Sequence, residues 1–129
     1  MKLLPLISLA AAFAAPIALP IAAEAHTKVV SSTPAEGATV GKTKVVTLNF
    51  SEALLPPTVA ASLVMTAMPG MPNHGEMAIR NFTTTWSNSN RTMTLKLKQP
   101  LRAGTYEVRW QAAGADGHRM NGVTHFVVS

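Results

Sequence analysis

The chain has seven methionines, and four of them, Met65, Met68, Met71 and Met77, stand within one stretch of thirteen residues together with His74. A thioether is a soft, uncharged donor, and a cluster of thioethers beside one imidazole suits Cu(I) while offering little to Mg, Ca or Mn. Pro69, Gly70, Pro72 and Gly75 interrupt regular helix or strand across the middle, so the stretch reads as a loop. Met65, which follows Ser62-Leu63-Val64, also fits an ordinary strand position, and methionines elsewhere fill cores or form adaptable partner surfaces. A loop built of Pro and Gly has no core to fill, which favours a soft-metal site over packing.

A second set of donors depends on how the chain begins. Met1-Lys2 gives a positive start, Leu3 to Ala23 is apolar and rich in alanine, and Ala23-Glu24-Ala25 has the small-x-small form of a signal-peptidase site. Residues 1–25 therefore read as a cleaved signal peptide and 26–129 as the mature domain; Pro5, Pro16 and Pro20 argue against a retained membrane anchor. Cleavage makes His26 the first residue, whose terminal amine and Nδ1 form a nitrogen pair that suits Cu(II). A second imidazole and a carboxylate complete a tetragonal site, and the sequence offers Asp116-Gly117-His118 and Glu52.

Each of these candidates also has a plainer role. His26 can be an accident of cleavage, Asp116 can close a turn through an Asx-type hydrogen bond, and Glu52 can be a solvated strand end. His125, opposite in phase to Phe126, belongs on an exposed sheet face rather than in a metal site.

Composition narrows the classes. One domain is all that 129 residues allow. The formal net charge is +5, and removal of residues 1–25 takes away one Lys and one Glu and leaves it unchanged. The basic residues are dispersed, from Lys28 to Arg119, which speaks for solvated surface charge and against nucleic acid. There is no cysteine, so disulfides, thiolate zinc sites and the His/Cys blue-copper centre are excluded. Any copper is held by His, Met, carboxylate or amine.

The elements that must position these donors are strands. Val29 to Ser32 is a short first strand, stopped by the turn residues of Thr33 to Gly37. Val45 to Phe50 alternates, with Val46, Leu48 and Phe50 on one face; Ala61 to Met65 leads into the methionine loop; Met77 to Phe82 and Thr83 to Trp86 continue the sheet beyond it. Ser87 to Asn90 is a turn. Thr92 to Lys98 alternates again, Thr105 to Ala112 carries Tyr106, Val108 and Trp110 on one face, and Val123 to Val128 closes the domain. Some seven short strands without a helical period predict an all-β fold, a small Greek-key β-barrel or sandwich.

The runs Ser31-Ser32-Thr33-Pro34-Ala35-Glu36-Gly37, Leu48-Asn49-Phe50-Ser51-Glu52, Met65-Thr66-Ala67-Met68-Pro69-Gly70-Met71, Ala103-Gly104-Thr105-Tyr106-Glu107-Val108-Arg109-Trp110 and Asp116-Gly117-His118 together resemble the CopC/PcoC family of periplasmic copper-binding proteins. The resemblance spans the whole mature chain with the motifs in the family's order. It implies a cupredoxin-like (Ig-like) β fold with two copper sites near opposite ends: His26, Glu52, Asp116 and His118 for Cu(II), and Met65, Met68, Met71, His74 and Met77 for Cu(I). The function so implied is a non-catalytic, monomeric periplasmic copper carrier for copper tolerance, trafficking or delivery. Its partners are copper ions and other periplasmic or membrane copper-handling proteins, with no membrane insertion after cleavage.

Two other functions compete. An oxygen-activating copper enzyme with an amino-terminal His site needs an open coordination position, which Asp116 and Glu52 would crowd, and one Tyr and two Trp leave little for an aromatic sugar-binding face. A non-metal β-sandwich interaction domain, its methionines forming a partner surface, predicts no tight copper binding.

Overall fold

In a computed structural model the described residues are 27–71 and 75–129. The signal segment with its cleavage point, His26 and His74 lie outside them. Nine strands form among the described residues: β1 (Val29–Thr33), β2 (Ala38–Val40), β3 (Val45–Phe50), β4 (Ala60–Ala67), β5 (Met77–Ile79), β6 (Phe82–Ser87), β7 (Thr92–Leu97), β8 (Gly104–Ala113) and β9 (Arg119–Val128). Pro56–Thr58 makes a single 3-10 turn, all the helix that Pro56-Pro57 permits. No helix among the described residues is long and apolar enough to cross a membrane.

The strands pair in two sheets, ordered β1-β3-β7-β6 and β2-β9-β8-β4-β5, so the fold is an open two-sheet sandwich and not a closed barrel. All pairs are antiparallel except β2 with β9. The expected alternation holds: Val46, Leu48 and Phe50 of β3 face Tyr106, Val108 and Trp110 of β8 across a core that also takes Leu54, Leu63, Met93, Leu95 and Phe126. Each such fully buried side chain contributes about 1.5–3 kcal/mol by leaving water. Phe50 meets Trp110 edge to face with ring centroids 4.9 Å apart, which joins the two sheets.

The strand count of about seven is corrected to nine. β2 is three residues long, too short for alternation to register, and it is held by pairing with the distant Phe126–Val128. The stretch from Met77 to Trp86 does not continue one sheet. It breaks at Arg80-Asn81, with β5 pairing to β4 in one sheet and β6 to β7 in the other. The turn at Ser87 to Asn90 is as expected, with Asn88, Ser89 and Asn90 all at positive φ.

Candidate metal centre

Among the described donors, Met65 and Met77 sit toward one end of β8 and Asp116 and His118 just beyond the other, on a ten-residue strand roughly 30 Å long. One end is organised by Thr27. Its main-chain N–H donates to Met120 Sδ at 2.8 Å. Around Gly114 three side chains converge: a Cβ built there would lie 3.3 Å from Asp116 Oδ1, 3.5 Å from Met120 Cε and 3.8 Å from Thr27 Oγ1. The segment before Glu52 is tied to the same place, since Lys28 N–H donates to Ser51 Oγ (3.1 Å) and Ser51 N–H donates to the Lys28 carbonyl (2.9 Å). Leu54 bridges Gly114, and Leu55 N–H donates to the Ala113 carbonyl.

Asp116 and His118 occupy the turn between β8 and β9. Gly117 takes a φ of 82°, which a residue with a side chain adopts only with strain, and its N–H donates to the Gly114 carbonyl. Asp116 Oδ1 accepts from the His118 main-chain N–H (3.0 Å), which is the Asx-type turn role, and Asp116 Oδ2 lies 2.8 Å from His118 Nδ1. That carboxylate favours the tautomer with the proton on Nδ1 and leaves the Nε2 lone pair for a metal. The hydrogen bond from His118 holds the Asp116 carboxyl below its ordinary value, and the same bond pushes the His118 imidazole up. Glu52 is exposed and makes no hydrogen bond or ion pair among the described residues.

The structure thus gathers Asp116, His118, the chain beside Glu52 and the residue that follows His26. Among the described residues no three His, Asp or Glu side chains form a metal-binding group. Two participants were not singled out from sequence, Thr27 and Met120. Their signals are faint: Thr27 follows His26, and Met120 is a methionine outside the loop, two residues after His118.

At the other end the methionines divide. Met77, Met65, Tyr106 and Phe126 are register partners in succession across β5, β4, β8 and β9, which puts them in one row on one face of the sheet. Met65 is 2 % exposed and belongs to the core, as its plainer reading had it. Met68-Pro69-Gly70-Met71 closes a turn in which Met71 N–H donates to the Met68 carbonyl (3.0 Å), with Pro second and Gly70 third at φ 77°, the residues a type II turn requires. Met65, Met68 and Met77 line one cleft of about 290 Å³ with Ile79, Leu101 and Tyr106. Met71 does not line it; at 56 % exposed it stands outside, bridged to Met68.

The loop's return into β5 is anchored by charge. Arg109 Nη2 and Nη1 reach Glu76 Oε1 and Oε2 at 2.6 and 3.1 Å, and Arg109 Nε donates to Glu107 Oε2 at 2.8 Å. Hydrogen bonding to Arg109 lowers the Glu76 carboxyl below its ordinary value. His125 lies on an exposed sheet face as expected, with Nδ1 2.8 Å from Glu36 Oε1 and Nε2 3.5 Å from Glu107 Oε1.

Neutral thioethers are donors for a soft monovalent metal ion, and an imidazole nitrogen beside a carboxylate suits a divalent one.

Comparison with known proteins agrees in fold and extent. The family model for the CopC domain matches residues 29–129. The chain is 42 % identical over 116 residues to copper resistance protein C of Pseudomonas syringae pv. tomato, with 90 % of each chain covered. It is 35 % identical over 106 residues to copper resistance protein C of Escherichia coli, covering 82 % of this chain and 83 % of that one. Its structure is similar to the crystal structure of PcoC, a methionine-rich copper resistance protein from Escherichia coli, with a TM-score of 0.73 and 32 % identity over 81 % of this chain and all of that one. These relatives are named as copper resistance proteins and not as enzymes. The sandwich, the methionine turn and the match over residues 29–129 place this chain in the CopC domain family.

Proposed function

We propose that the protein is a non-catalytic copper carrier of the periplasm that holds Cu(II) at its amino-terminal end and Cu(I) at the methionine loop, in copper tolerance or delivery. The observation that carries the reading is the separation of donors of opposite softness: Met65, Met68 and Met77 line one cleft, while Asp116 and His118 stand at the far end of β8. The copper resistance named for its relatives supports copper as the cargo.

In this account cleavage after Ala25 frees the amine of His26. Thr27, the residue after the freed His26, has its main-chain nitrogen fixed on Met120 Sδ and its hydroxyl near Gly114, on the turn that carries Asp116 and His118. His118 supplies Nε2, Asp116 orients that ring and offers carboxylate oxygens, and Glu52, which follows the Ser51 tied to Lys28 and has no ion-pair partner among the described residues, is the second carboxylate of the reading. At the loop, Met68 and Met71 are the two ends of one tight turn, Met68 shares its cleft with Met65 and Met77, and His74 adds an imidazole. Thioethers release an ion without separating a charge pair, which suits transfer to periplasmic or membrane partners. A change of oxidation state shifts copper's preference from one end to the other.

The test is a paired titration of the double variant Met68→Leu/Met71→Leu, in which shape is kept and sulfur is lost. Competition against a chromophoric Cu(I) chelator is expected to show weakened Cu(I) binding, with Cu(II) binding unchanged. Equal loss of both ions contradicts two separate sites.

A further inference from the structure

The sandwich is open along one side, where two strand edges face each other with no described strand between them. β1 ends its sheet and pairs only with β3. On its outer side β9 is paired by β2 over Phe126–Val128 alone. Residues 27–32 of the first edge and 121–124 of the second line a cleft of about 680 Å³.

The floor of this cleft is Trp110, 4 % exposed overall. Its partner across β8 and β9 is Gly122, where a Cβ would lie 2.8 Å from the indole nitrogen; the missing side chain is what gives the ring its place. Trp110 Nε1 and Thr27 Oγ1 are the two buried side-chain N or O atoms that lack a hydrogen-bond partner among the described residues. Both residues line this one cleft. Folded proteins rarely leave buried donors unpaired, because the group has given up water for nothing. Two such groups in the same opening point to a ligand that brings an acceptor for the indole N–H and a partner for the hydroxyl.

The walls say what kind of ligand. An edge strand presents alternate main-chain N–H and C=O groups outward, spaced for another main chain. The rims carry Val30, 59 % exposed, and Val123, 47 % exposed. The acidic group on the wall, Glu36, is already engaged by His125, which leaves the cleft without a free carboxylate to select a cation. We propose that this cleft binds an extended, uncharged polypeptide segment of a partner protein, which adds as a strand to the edge of β1, gives a carbonyl to Trp110 Nε1 and packs β-branched side chains on Val30 and Val123. Thr27 belongs both to the cleft and to the Asp116–His118 end, so the segment ends beside the proposed Cu(II) site. That corollary rests on the copper reading; the strand addition does not.

The experiment uses the chain beginning at His26, labelled with 15N and copper-free. The probe is the capped, uncharged peptide Ser-Thr-Val-Thr-Val-Thr-Ser, with the same peptide carrying Pro in place of both Val as control, since Pro cannot donate to a ladder. The proposal expects a saturable shift of the Trp110 indole N–H, none at Trp86, and amide exchange slowed about tenfold over Val30–Ser32. It also expects at least a tenfold loss of affinity in Val30→Lys/Val123→Lys, whose substitutions are at exposed positions and leave the unfolding midpoint in place. Absence of a saturable shift into the millimolar range, equal binding of the Pro peptide, or shifts confined to the methionine loop overturns it. Because no copper is present, these outcomes are independent of the copper titrations.

Discussion

Thr27 and Met120, 93 residues apart, meet through a hydrogen bond of 2.8 Å from main-chain nitrogen to thioether sulfur, buried on both sides. A thioether is a weak acceptor, yet here it is the partner of the first described N–H of the domain. The contact seats Thr27 against the turn that carries Asp116 and His118, and Lys28 and Ser51 tie the next residue to the segment leading to Glu52.

Met120→Leu keeps the volume and removes the acceptor. A volume-conserving core change costs under about 1.5 kcal/mol and an orphaned buried N–H about 1–3 kcal/mol, so a loss of about 2 kcal/mol is expected. Urea unfolding reads it as a lower midpoint at unchanged slope. Cu(II) binding is expected to weaken while Cu(I) binding holds; undiminished Cu(II) binding would mean that the seat of Thr27 has no part in the site.

Arg109 grips Glu76 with two nitrogens at the point where the methionine loop re-enters β5 as Met77. Both groups are well exposed, so the pair is screened and its loss is a small effect. Arg109→Met is expected to weaken Cu(I) binding a few-fold, leave Cu(II) binding alone, and be partly rescued in Arg109→Lys. The pair has a pH signature too. Because Arg109 lowers the folded-state pKa of Glu76, its contribution is present above the ordinary carboxyl value and is lost as pH falls through the lowered one. The stability difference between the parent and Arg109→Met, measured in urea, should therefore shrink in acid; a difference that grew in acid would contradict the assignment.

The Asp116–His118 pair makes an opposite prediction for the imidazole. With its folded-state pKa raised by Asp116, His118 stabilises the copper-free fold below its ordinary value, and that contribution is lost as pH rises through the raised one. In the copper-free protein Asp116→Asn is expected to move the NMR titration midpoint of His118 downward, toward the ordinary imidazole value. No movement would show that the carboxylate does not hold the ring in solution. In the parent, protons compete with Cu(II) for His118 from a higher pH, so Cu(II) affinity should begin to fall at a higher pH than in a peptide imidazole.

How much of this could be read from the sequence depends on distance along the chain. Val46, Leu48 and Phe50 declare their strand by local alternation, and Met68-Pro69-Gly70-Met71 declares its turn because Pro and Gly carry the φ angles with them. Asp116 and His118, two residues apart, were legible as a pair, both as ligand candidates and as an Asx turn. What local pattern does not contain is partnership between remote segments. β2 exists because Phe126–Val128 offers it an edge, and Met77 parts from Phe82 because their partner strands lie in different sheets. Met65 shows the limit inside one residue: strand position and donor position were separate readings, and it occupies the core while lining the cleft with Met68 and Met77.

The central claim is that two ends of one sandwich hold copper in two oxidation states, and the amino-terminal end is the more exposed to test. The measurement is a Cu(II) titration followed by electron paramagnetic resonance, on the chain beginning at His26 and on a copy with one Gly placed before it. The account predicts one-to-one binding with a tetragonal, nitrogen-rich spectrum in the first chain, and weakened binding with an altered spectrum in the second. Identical affinity and spectrum in the two chains would contradict a role for the His26 amine and leave the methionine cleft as the site to defend.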